Sequence, residues 1–256
     1  MKAADSKSAA SQAYALPPAH WLQRQSEWLA PARGRLLRRA AVGRRRRVLD
    51  LACGHGVVVP ELARRAASSS VIAALDRSEV GFRASADWFA GAVCVRADAH
   101  ALPFASDVLD LVFCQCALFW MRDPHVVLAE IARVLTAEGV LVAIEPDYGA
   151  MIEHPPERAT GSIWVRALER AGADPFFGRK LPGLLAGAGL TADVQLLDRL
   201  MPPDVARFDV LAGLPLNASE AERVEGLRER EGTDRPGPGS VAHLPFFLVV
   251  ATRALD

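Results

Sequence analysis

An α/β fold, a mostly parallel sheet with helices on both faces, is predicted by three observations. Short apolar runs rich in valine and leucine alternate with longer stretches whose apolar residues recur at helical spacing. The first run, Arg47–Leu51, breaks at Gly54 and Gly56 and turns at once into a helical stripe. Acidic residues stand just beyond the next two runs, Asp76 after Val71–Leu75 and Asp98 after Ala92–Arg96, where the loops of a parallel sheet gather. A chain of 256 residues that is 51% apolar is long enough for one such domain with insertions, and has ample material for its core.

Taken in order, residues 1–18 read as a disordered lead and 19–256 as a single domain whose core is about 42–149. His20 to about Ala41 has a helical pattern built on Trp21, Leu22, Trp28, Leu29, Leu36 and Leu37, interrupted at Pro31. The first strand is followed by a helix over about Val57–Ala67, a second strand Val71–Leu75, a helix Val80–Phe89 and a third strand Ala92–Arg96. The fourth strand starts at Asp110 and leaves toward Trp120, and Pro124 opens a helix whose buried stripe is Val127, Leu128, Ile131, Val134 and Leu135. After a turn at Gly139, Val140–Ile144 make the fifth strand. Beyond it stand an irregular helical insertion at about 150–178, a helix from Phe177 to about Gly187, and a sixth strand Thr191–Leu200. A second insertion, about 203–240, precedes the last strand, Phe246–Thr252.

Composition narrows the function. Basic and acidic residues balance at 30 each, which argues against a protein built to neutralise nucleic acid or a membrane surface. The run Arg44–Arg47 reads as a solvated lead-in to the first strand. Cys53, Cys94, Cys114 and Cys116 lack paired zinc-type spacing, so no metal is expected; they read as small buried residues of a reducing, cytoplasmic setting. Residues 1–16 have no apolar signal core, and Phe246–Ala251 is too short an apolar run to span a bilayer.

The turn after the first strand carries the chemistry. Gly54 and Gly56 let the backbone approach a ligand, and the helix that follows offers unpaired N–H groups. Asp76, 20 residues past Gly56, is placed to accept both hydroxyls of a ribose; its bland role would be to cap the next helix with Ser78. A dinucleotide fingerprint wants a small residue where Val59 stands, which disfavours a nicotinamide-dependent oxidoreductase.

The string Asp50-Leu51-Ala52-Cys53-Gly54-His55-Gly56 resembles motif I of class I S-adenosylmethionine-dependent methyltransferases, with Ala52 where the first glycine usually stands. Leu102-Pro103-Phe104, Ala129-Glu130-Ile131-Ala132-Arg133-Val134-Leu135 and Glu145-Pro146-Asp147-Tyr148 look like the small-molecule members related to the ubiquinone and menaquinone enzymes. The resemblance spans Arg47 to about Tyr148. It implies a Rossmann-like seven-stranded sheet with an antiparallel last strand and a lid of helical insertions. It implies S-adenosylmethionine as cofactor and S-adenosylhomocysteine as product. The cofactor would be held by Asp50, Ala52, Cys53, Gly54, Gly56, Asp76, Arg77, Asp98, Ala99, Cys114 and Gln115, with Asp98 and the Ala99 N–H reading adenine. Cys114-Gln115-Cys116-Ala117 replaces the Asn/Asp-Pro-Pro-aromatic device of nucleic-acid amino methyltransferases, which points away from a base substrate.

The acceptor is then a small molecule, of secondary-metabolite or quinone-like biosynthesis, met by Tyr14, Phe119, Trp120 and His154. Methyl transfer would rest on proximity, with Asp147, Tyr148 or His154 as an optional base and His20, His125 and Tyr14 as further candidates. The enzyme would work as a monomer or homodimer. A non-catalytic cofactor-binding subunit is the competing reading, since binding motifs do not report turnover.

Overall fold

The computed structural model describes residues 16–254 apart from 198, 201–203 and 234–238. The expectations for residues 1–15, Tyr14 among them, lie outside the described residues.

Helix α1 (Ala19–Arg39) leads into β1 (Arg47–Leu51), α2 (Val59–Arg65), β2 (Val71–Asp76), α3 (Val80–Ala84) and β3 (Val93–Arg96). Then come β4 (Leu109–Gln115), α4 (Pro124–Val134), β5 (Leu135–Pro146), β6 (Ile152–His154), α5 (Gly161–Arg170), α6 (Phe177–Gly187) and β7 (Leu190–Leu196). Helices α7 (Ala206–Ala212) and α8 (Ala218–Thr233), then β8 (Val241–His243) and β9 (Phe246–Arg253), complete it. The strands form a seven-stranded sheet in the order β3-β2-β1-β4-β5-β9-β7. The first five in that order run parallel, whereas β9 is antiparallel to both β5 and β7, as the family resemblance implies.

Strand alternation sorts the apolar residues into two cores. Leu49, Leu51, Val112, Cys114, Leu141 and Ala143 face one layer with the buried stripes of α4 and α6. Val48, Leu111, Phe113, Val140 and Val142, their immediate neighbours along the same strands, face the other with α1 and α2. Strands covered on both faces read as continuous apolar runs, which is why their positions are legible.

Four local expectations change. Helix α1 runs unbroken through Pro31, because Leu29, Ala32, Leu36 and Leu37 are all buried along it and outweigh one missing N–H. Strand β5 starts at Leu135; no turn breaks it at Gly139, where the register against β4 shifts and a Cβ would lie 2.9 Å from the Leu109 and Thr136 carbonyl oxygens. Cys94 is exposed, since β3 is the sheet edge with no strand beyond it. Part of the 150–178 insertion is not helical: β6 pairs antiparallel with β8, from the other end of the chain, as a separate two-stranded ribbon. No helix among the described residues is long and apolar enough to cross a membrane.

Candidate active site

Four parallel strands ending side by side bring their exit loops to one end of the sheet, and the predicted cofactor residues all lie there. Asp50 lies near the end of β1 and Ala52, Cys53, Gly54 and Gly56 follow it, Asp76 ends β2 with Arg77 after it, Asp98 and Ala99 follow β3, and Cys114 and Gln115 close β4.

The turn is left-handed three times: φ is +54° at both Ala52 and Gly54 and +74° at Gly56. The alanine at position 52 therefore carries strain of about 1–2 kcal/mol that glycine avoids, more than its small size suggests. Close packing fixes the two glycines. A Cβ on Gly56 would stand 2.4 Å from the Phe89 ring, and one on Gly54 3.2 Å from Leu16. On the far side Gly81 of α3 lies against the turn, where a Cβ would be 1.9 Å from the Gly54 carbonyl oxygen. Gly81 has no sequence signal; only the crossing of α3 over the turn reveals its role.

The carboxylates differ in state. Gly54 N–H donates to Asp76 Oδ2 and Ser78 N–H to Oδ1, both at 2.9 Å. Each oxygen keeps a further lone pair for a hydroxyl donor. Asp98 Oδ1 accepts from His100 N–H at 2.9 Å and lies 2.6 Å from His100 Nδ1; these bonds hold its carboxyl below the usual range. Burial pushes Asp50 up to about 8, with Arg33 pulling it down and Asp76 pushing it further up. Asp50 is therefore uncharged at neutral pH.

Two groups that sequence reading did not single out organise this end of the sheet. Glu145, fully buried at the end of β5, accepts backbone N–H bonds from Ala117 and Leu118 at 3.0 Å and from Phe119 at 3.4 Å. It thereby pins the turn leaving β4, which begins with a left-handed Cys116 at φ +53°. Burial raises Glu145 to about 7 despite those bonds. Arg33 of α1, 3% exposed, donates from Nε to Glu61 at 2.8 Å and from Nη1 to Gln115 Oε1 and the Ser26 carbonyl at 3.0 Å. One buried cation so ties the leading helix to α2 and to the tip of β4. The leading segment also covers the turn, with Pro17 O 3.2 Å from His55 Nε2.

The acceptor candidates are spread out. Trp120, Phe119, Tyr148 and Trp164 form a row of aromatic contacts, with ring centroids 4.8, 6.1 and 4.9 Å apart in turn. Tyr148 and Phe119 are buried in that row. Asp147, wholly buried, takes a two-pronged ion pair from Arg179 with both contacts at 2.7 Å. His154 is exposed on the β6–β8 ribbon. A cleft of about 460 Å³ opens past β5 between Tyr148, Met151, Val165 and Phe176. Its two charged side chains are engaged: Glu153 caps the start of α5 through Thr160 and Gly161, and Arg166 pairs with Glu220. Among the described residues no cluster of side chains is suited to hold a metal ion.

Known proteins resemble part of the chain. Residues 49–143 match the methyltransferase domain family. The match covers less than half of the chain and coincides with the strands that carry the glycine turn, Asp76 and Asp98. Over 100 residues, 38% of the chain, this protein is 39% identical to a malonyl-[acyl-carrier protein] O-methyltransferase of Halorhodospira halophila, and spans 34% of that protein's length. It is 26% identical over 209 residues, 79% of the chain and 59% of the relative, to an uncharacterised 37.1 kDa protein encoded in a Streptomyces fradiae transposon. The fold is also similar to that of the Bacillus subtilis YcgJ protein, with TM-score 0.65 and 14% identity over 89% of this chain and 100% of the other.

Proposed function

We propose that this chain transfers a methyl group from S-adenosylmethionine to a small-molecule acceptor. The observation that carries the reading is the convergence of the left-handed Gly54 turn, Asp76, Asp98 and Gln115 on one end of four parallel strands in a methyltransferase domain. That donor set suits a nucleoside: Asp76 for ribose hydroxyls, Asp98 for an exocyclic amine, and small residues where the ligand meets backbone. When bound, the cofactor supplies a methyl group already activated by its sulfonium.

What remains for the protein is placement. Glu145 fixes the β4 exit beside Gln115, and the leading segment over Gly54 excludes water. The apolar walls of the cleft past β5 favour an acceptor with a flat or aliphatic body. Asp147 is committed to Arg179, so we assign no base there and let proximity carry the transfer.

The test is calorimetric titration of the purified chain with S-adenosylmethionine and S-adenosylhomocysteine, followed by a search for S-adenosylhomocysteine release with flat and aliphatic acceptors. Binding with turnover supports the reading. Binding without turnover across the panel favours a non-catalytic subunit, and no binding of either compound removes the proposal.

A further inference from the structure

We propose a second binding site, for a small soluble diphosphate, in the cleft between the C-terminal ends of α1 and α2. It lies at the opposite end of the sheet from the glycine turn, where the chain enters β1. The cleft is open, holds about 580 Å³, and is lined by Arg38, Ala41, Val42, Gly43, Arg44 and Arg65.

Charge is what this cleft leaves unsettled. Arg33 and Arg65 share one carboxylate, Glu61, each through a different oxygen. The Arg38 and Arg44 side chains have no hydrogen-bond or ion-pair partner among the described residues. Three guanidinium groups, those of Arg38, Arg44 and Arg65, line the cleft, and of these only Arg65 has a carboxylate partner among the described residues, the Glu61 it shares with Arg33. Arginines in a last helical turn suit the carbonyl ends of their own helices, which explains Arg38 and Arg65 one at a time. It does not explain why they converge.

They converge over Gly34, in the interior of α1. A Cβ there would lie 3.2 Å from Arg65 Nη2 and 3.7 Å from Arg38 Nη1. Glycine inside a helix costs about 1 kcal/mol relative to alanine, and at this position the space it frees is where the two cations meet. Like charges held together in a concave site are relieved by an anion, and guanidinium forks match phosphoryl oxygens in geometry. One phosphate carries about two negative charges; a diphosphate carries more and offers two phosphoryl groups to the three guanidinium forks that line the cleft. The concave, small-molecule scale of the site favours a soluble ligand over a flat headgroup layer.

The experiment titrates the full chain with sodium pyrophosphate, using sodium chloride of equal ionic strength as reference, and reads heat and melting temperature. Saturable binding is expected for the wild type, and at least ten-fold weaker binding for Arg38→Gln/Arg44→Gln. Both side chains are exposed, so this variant keeps its fold, which circular dichroism checks. Arg122→Gln/Arg230→Gln removes the same charge elsewhere on the surface and is expected to bind like the wild type. The proposal is overturned if the wild type shows no saturable pyrophosphate response, if Arg38→Gln/Arg44→Gln binds as the wild type does, or if the two double variants weaken equally.

Discussion

Asp50→Asn tests the electrostatics beneath the glycine turn. In the folded chain the Asp50 carboxyl holds its proton up to about 8, against an ordinary 3.8. Between those values the native state binds a proton that the unfolded chain has released, so the site's contribution is fully present at low pH and falls as pH rises through the window. A shift of about four units at about 1.4 kcal/mol each sets a ceiling of ~5–6 kcal/mol above pH 8, and water drawn toward the buried group brings the expected loss to about 2–4 kcal/mol. Glu145, raised to about 7 from 4.5, adds a loss of the same sign between those two values, in wild type and variant alike. The difference between the two proteins removes it. Urea unfolding at a series of pH values should give nearly equal stabilities at about pH 4.5 and a variant more stable by about 2–4 kcal/mol near pH 8.5. A flat difference curve, or a wild type that is the more stable at high pH, would refute the charge state assigned to Asp50.

Three further outcomes follow from contacts. Gly81→Ala drives a methyl into the Gly54 backbone and should cost about 3 kcal/mol or more, with loss of cofactor binding heat. Gly183→Ala, in open space within α6, should instead gain up to about 1 kcal/mol; chemical denaturation of the pair checks both. Arg33→Met strands Glu61 with only the half-exposed Arg65 and should cost about 3–5 kcal/mol, part of which returns in Arg33→Met/Glu61→Met. Asp147→Asn should lower stability by about 2–3 kcal/mol through its ion pair with Arg179, while the pH profile of turnover keeps its shape. A pH profile that loses a limb in that variant would make Asp147 the base after all.

The parallel sheet was legible because its evidence is local. Strands buried on both faces are mostly apolar and glycine is favoured where the chain turns left-handed, so Arg47–Leu51, Gly54 and Gly56 announce themselves within a few residues of each other and Asp76 at the end of the next strand. Burial and propensity misled where neighbours decide. Pro31 stays inside a helix because the core grips both sides of it, and Cys94 is exposed because its strand has no outer neighbour. The β6–β8 ribbon joins residues about 90 positions apart, and no local periodicity reports such a pairing.

From the sequence alone came the order of the elements and the residues at the strand tips, since periodicity and turn chemistry act between near neighbours. Tertiary structure alone decided what those tips experience. Glu145 reaches Ala117 across 28 positions and Arg33 reaches Gln115 across 82. Such partners are chosen by which strand ends lie adjacent and which helix faces turn inward. Burial then sets their charge: an aspartate that any sequence reading would treat as ionised is held neutral by the absence of water around it.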